Sequence, residues 1–147
     1  MSSALDNARI ATTVTYFRYV DSADPAVLDL FTNDASMFFP KLGIAQGKAA
    51  IAAFAVHFGT EVVRIVHDID KFNIMRSGDF VIVEGTVTGE LKSGRTFPDG
   101  LHSFGMFCNV FEFEGTLIKR VSIYEDPDFG SGDTDRVAWA NDLRKTA

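Results

Sequence analysis

The sequence predicts an α+β fold, with helices first and a curved antiparallel sheet after them. The hydrophobic period changes near the middle of the chain, from helical spacing to strand alternation. Three short turn sequences, 76–79, 92–95 and 114–116, separate long runs of strand-forming residues. An antiparallel sheet built this way has one face to cover, and the leading helices can cover it. The hydrophobic share of 46% supports a real core in a chain of 147 residues. Fourteen Phe residues point to wide apolar surfaces or a lined cavity.

From Asp6 to Val20, the recurrence of Ile10, Val14 and Phe17 predicts an amphipathic helix, with Thr13 and Val20 at the edge of the stripe. Asp24-Pro25 supplies an N-cap and a first-turn proline for a short helix to about Phe31. Ala35–Phe39 reads as a short strand stopped by Pro40, and Gly47 opens a third helix that closes near Gly59. Val62–Met75, Phe80–Leu91, His102–Phe113 and Leu117–Glu125 then read as four long strands. A Gly- and Asp-rich bend and a short helix over Arg136–Lys145 complete the chain, which is expected to be one domain with its core in 5–128 and a tail over 129–147.

Several classes are set aside. A net charge of −6 argues against nucleic-acid binding, which needs clustered Lys and Arg. No apolar run approaches the ~20 residues that span a bilayer, and no basic then apolar leader opens the chain. With one cysteine, Cys108, no internal disulfide can form. A cytoplasmic protein without a membrane partner is expected.

The element order, together with Tyr16-Phe17-Arg18-Tyr19-Val20-Asp21, Leu30-Phe31-Thr32-Asn33-Asp34-Ala35, Gly47-Lys48-Ala49-Ala50-Ile51 and Phe111-Glu112-Phe113-Glu114-Gly115, resembles the nuclear transport factor 2-like superfamily over residues 5 to 128. The branch it is most similar to is the SnoaL-like and scytalone dehydratase-like one. The resemblance implies a cystatin-like α+β barrel: a cone-shaped curved sheet wrapped around three N-terminal helices, with an apolar pocket at its open end. Members include cyclases, isomerases, epoxide hydrolases, dehydratases and non-catalytic carriers, so the fold leaves the chemistry open.

Polar residues on apolar faces carry the functional argument. Alternation in Val63–Ile69 puts His67 on a face with Val63, Ile65 and Ile69. Histidine is the natural general acid or base near neutrality, though a core histidine bonded to backbone fits the same pattern. The dehydratases the chain resembles carry a catalytic histidine on the corresponding strand. Asp21 follows the phase of Ile10, Val14 and Phe17 to a helix C-terminus, where the macrodipole disfavours a carboxylate. It either orients a histidine or is a solvated turn residue. Tyr16, at the edge of the stripe, could place a hydroxyl in a pocket, whereas Tyr19 falls on the opposite face and reads as surface.

On the third long strand, Asn109 shares a face with Phe107, Phe111 and Phe113. Its position is similar to that of a protonated aspartate in ketosteroid isomerases. His102 resembles a second dehydratase histidine, but strict alternation places it opposite Asn109 unless a bulge intervenes near Gly105. Phe39 stands where the isomerase base would be, and the Arg and Asp set of the epoxide hydrolases is missing. The acidic residues from Glu125 to Asp135 read as a solvated tail, and Cys108 as packing.

The expectation is a cofactor-independent enzyme acting by acid/base chemistry on an apolar cyclic or aromatic molecule. Dehydration leads, with isomerisation or cyclisation behind it. His67, Asp21 and Tyr16 would be catalytic; Asn109, His102, Phe107, Phe111 and Phe39 would contact substrate, and no metal is expected. A hydrophobic-ligand carrier or dimerising accessory module is the alternative. Phe80, Ile82, Met106 and Val110 on the outer sheet face point to a homodimer.

Overall fold

The computed structural model describes residues 3–127 and Lys145. The acidic stretch after Pro127 and, apart from Lys145, the expected 136–145 helix lie outside the described residues. Helix α1 (Ala4–Asp21) begins at a capping box in which Ser3 Oγ accepts from the Asp6 N–H and Asp6 accepts from the Ser3 N–H. A one-and-a-half-turn 3₁₀ segment follows over Pro25–Leu30, capped by Asp24 as the sequence suggests. Helix α2 (Lys48–Glu61) is the third helical element.

Among the described residues there are eight strands: β1 (Phe31–Phe39), β2 (Gly43–Gln46), β3 (Val62–His67), β4 (Asn73–Ser77), β5 (Phe80–Leu91), β6 (Thr96–Phe97), β7 (Met106–Glu114) and β8 (Leu117–Glu125). The order is β2-β1-β8-β7-β5-β3, with β4 and β6 also pairing to β5. The sheet is mixed because β1 runs parallel to β8. Its curl follows from β5. The first half of β5 pairs with β4 and the second half with β3, so the strand bends between them.

Three details differ from the sequence reading. The expected strand Val62–Met75 is two strands, broken by a 3₁₀ turn at Ile69–Lys71. The first strand starts at Phe31 rather than Ala35, because its early residues pair with β8 across a register shift. The buried stripe of α1 is Arg9, Thr13, Tyr16 and Phe17, rotated from Ile10, Val14 and Phe17. Hydropathy cannot reveal this rotation, since Arg9 is buried by its partners. It donates to the carbonyls of Gly115 (2.8 Å) and Gly78 (3.2 Å) and pairs with Asp79 (2.9 Å). This ties the start of α1 to two hairpin turns at one end of the cone.

The core lies between α1 and the concave face of β5, β7, β8 and β1. Phe17, Phe111, Val83, Ile118 and Val121 are fully enclosed there. A bulge at the β7–β8 pairing lets Ile118 and Val121, three residues apart, both turn inward. Inward phase on β7 takes Phe107, Asn109, Phe111 and Phe113, as the alternation predicts.

Candidate active site

Asp21 and His67 meet where the end of α1 reaches the end of β3. The helix stops because Ala23 adopts a left-handed φ of 53° and the Asp24 N–H closes on the Tyr19 carbonyl at 2.8 Å. The Asp21 carboxylate is thereby left beside β3. Its Oδ1 accepts from His67 Nδ1 at 2.5 Å, and its Oδ2 accepts from the His67 backbone N–H at 2.9 Å. A carboxylate at a helix C-terminus costs about 0.3–1 kcal/mol. A hydrogen bond to a charged group contributes about 1.5–3 kcal/mol and outweighs that cost. With Nδ1 engaged, Nε2 is the nitrogen that carries the lone pair.

Three rings fix the imidazole. Phe17 lies at 4.8 Å between centroids, Phe107 at 5.2 Å and Phe72 at 6.5 Å, all edge-on. Gly85 makes room for two of them. A Cβ there would stand 2.7 Å from the Phe72 ring and 3.0 Å from the Phe107 ring. A strand glycine thus marks a close approach beside the histidine.

His67 and Asp21 line a cavity of about 440 Å³ between α1, the Pro25–Leu30 segment, α2, β3 and the concave sheet. One wall is aromatic: Phe39 packs on Phe54 at 5.1 Å and on Phe58 at 5.5 Å. Tyr16, Phe107 and Asn109 also line the cavity. Tyr16 is buried, and burial together with the nearby Glu125 charge holds its hydroxyl protonated well above the ordinary tyrosine range. Asn109 is buried, and among the described residues its Oδ1 has no hydrogen-bond partner.

Other expected site residues fall elsewhere. His102 is on no strand; it sits in the loop before β7, exposed, with Nδ1 paired to Asp99 at 2.6 Å, and does not line the cavity. The reason is Gly105, at φ 73°, whose carbonyl takes the Val87 N–H at 2.8 Å and ends the strand pairing before His102. Phe111 lies behind the cavity, packed on Tyr16 and Phe17. Tyr19, expected on the surface, lines the cavity instead, because the stripe of α1 is rotated. Among the described residues, no three His, Cys, Asp or Glu side chains cluster as metal ligands. Asp68, next to His67 in the chain, pairs with Lys71 at 2.8 Å.

Glu125 is the correction with most consequence. It is no solvated tail residue: it lines the cavity, and its Oε1 is buried without a hydrogen-bond partner among the described residues. Burial, with a smaller contribution from the Asp126 charge, pushes its carboxyl up to about 8. The signal was present in the alternation Val121, Ile123, Glu125, which continues the inward phase of β8. The acidic residues that follow masked it.

A curled sheet enclosing helices, with an apolar chamber and an Asp–His pair in its wall, defines a pocket protein of the nuclear transport factor 2-like fold. The chain belongs to the SnoaL-like domain family, which residues 14–121 match. No curated protein matches the sequence. Among solved structures, a SnoaL-like polyketide cyclase so described from Jannaschia sp. CCS1 is 16% identical, with a TM-score of 0.69 over 84% of this chain and 89% of that one. A protein described as an isomerase from Bacillus subtilis is 18% identical, with a TM-score of 0.69 over 86% and 92%. TerC, co-crystallised with polyporic acid, is 19% identical, with a TM-score of 0.68 over 81% and 92%. At these identities the likeness is one of fold. Among the described residues, no helix is long and apolar enough to cross a membrane.

Proposed function

We propose that this protein is an enzyme that moves protons on an apolar cyclic or aromatic molecule held in the Phe-lined cavity. The reaction class we favour is dehydration, with isomerisation and cyclisation as neighbouring chemistries on the same groups. The observation that carries the reading is the 2.5 Å bond from His67 Nδ1 to Asp21, on a histidine that lines the cavity. Nε2 takes a proton from carbon next to a substrate carbonyl, and Asp21 stabilises the imidazolium that results. The Tyr16 hydroxyl and the Asn109 amide would donate to the carbonyl oxygen as negative charge builds there. No group beyond the side chains is required by this scheme.

The test is a screen of cyclic hydroxy-carbonyl compounds with the wild type and His67→Gln. Turnover that falls by about 10²–10⁴ in the variant, with the fold intact, supports the reading. Equal turnover in both proteins defeats it. A ligand bound and returned unchanged would favour the carrier.

We further infer a homodimer through the outer sheet face. Met106 is 54% exposed and Tyr124 53%, beside half-buried Ile82 and Val110. A partner would cover this apolar strip, and sedimentation as a monomer at high concentration would contradict it. Cys108 is free, which supports the cytoplasm as the compartment.

A further inference from the structure

The proposed chemistry uses a base but leaves a buried acid unexplained. Glu125 stands directly across from Phe107 in the β7–β8 pairing, and Phe107 in turn packs against the His67 ring. Strand partners of this kind hold their Cβ atoms about 4.5–5.5 Å apart on one face. His67 and Glu125 therefore flank a single aromatic ring and open into one cavity. Among the described residues nothing satisfies Glu125 Oε1. A buried carboxyl oxygen without a partner costs stability, and an occupant of the cavity can supply the missing bond.

We propose that Glu125 is a second catalytic group, a neutral carboxylic acid that donates its proton to the substrate oxygen lost during the reaction. This rests on the acid/base reading of the pocket and divides the work between two side chains. His67 Nε2 takes the proton from carbon, and the C–H electron pair becomes the new C=C bond. The C–O bond breaks, and the departing oxygen takes the Glu125 proton to leave as water. Imidazolium and carboxylate are left, and solvent returns each to its starting form.

The surroundings hold the acid neutral. The other titratable groups lining the cavity are Tyr16, Tyr19, Asp21, Asp24, Arg64 and His67, and none donates to Oε1. Asp126, the residue just past the strand, adds negative charge, while that residue's own oxygens are taken by the N–H groups of Phe104 and Met106. Burial and this charge together raise the carboxyl to about 8. The ligand class follows: a ring system carrying an oxygen acceptor at the end that faces β8, rather than a plain hydrocarbon.

The test uses 2-naphthoate, an aromatic probe whose carboxylate accepts a hydrogen bond from a neutral acid and is repelled by an ionised one. Calorimetric titration is run at pH 6.5 and pH 9 on the wild type, Glu125→Gln, His67→Gln and the double variant. If binding requires the protonated acid, wild-type affinity falls about tenfold between the two pH values. His67→Gln shows the same fall, and adding Glu125→Gln to it leaves an affinity independent of pH. Absence of binding at pH 6.5, or an equal fall in the wild type and Glu125→Gln, overturns the proposal. A ¹³C-carboxyl titration of the wild type, assigned with the Gln variant, reads the acid directly; ionisation near an ordinary glutamate value overturns it as well. Failure of His67-dependent turnover would defeat the acid/base reading while leaving this binding result standing, so the two are separable.

Discussion

Replacing Glu125 by Gln keeps the size of the side chain and removes only its ability to ionise. In the folded protein burial raises the carboxyl to about 8, against an ordinary value of 4.5. Between those two pH values the folded form holds a proton that the unfolded chain has released. Stability contributed by this group therefore falls as pH rises from about 4.5 to about 8, and levels off above that. The full interval corresponds to roughly 5 kcal/mol, at about 1.4 kcal/mol per pH unit. Part of the residue is open to solvent, so roughly 2–4 kcal/mol is expected in practice. Urea unfolding of the wild type and Glu125→Gln at pH 5 and pH 9 measures the difference, because every other titrating group is common to both. The variant should be within about 1 kcal/mol of the wild type at pH 5 and clearly more stable at pH 9. A difference between the two proteins that is the same at both pH values would refute the reasoning, since the carboxyl would then be ionising as it does in water.

Three further outcomes are expected. Phe17→Ala, at a fully buried ring touching His67, Phe72, Phe107 and Phe111, should cost about 3–5 kcal/mol in chemical denaturation. Gly85→Ala forces the Phe72 and Phe107 rings aside, which should destabilise by about 1–3 kcal/mol and lower any His67-dependent turnover; unchanged ring positions in a crystal structure of the variant would count against that account. Asp21→Asn removes the charge that holds the imidazole and relieves the helix end, so the net stability loss should be only about 1–2 kcal/mol, with a much larger fall in turnover. A variant as active as the wild type would show that Asp21 does not orient the base.

Much of this molecule is legible in its sequence, and for physical reasons. The period change places the helices before the sheet, and alternation from Asn109 assigns the concave face of β7 correctly. Asp21 stands out because a carboxylate at a helix C-terminus needs a partner, and its partner is His67. What escapes is set by long-range contacts. Arg9 is buried through carbonyls 69 and 106 residues away, which no local pattern encodes. The start of β7 is set at Gly105, whose carbonyl meets Val87, so His102 cannot be placed from alternation alone. Glu125 was hidden differently: its inward phase is visible on β8, but an acidic run after it suggests solvent.

The proposed chemistry needs Asp21 to hold His67 at Nδ1, leaving the lone pair at Nε2. Long-range ¹H–¹⁵N correlation of the side chain, at a pH where the imidazole is neutral, reads which nitrogen carries the proton. Nδ1–H is expected in the wild type, with loss of that single tautomer in Asp21→Asn. A proton on Nε2 in the wild type would contradict it, because the nitrogen facing the ligand could then accept nothing.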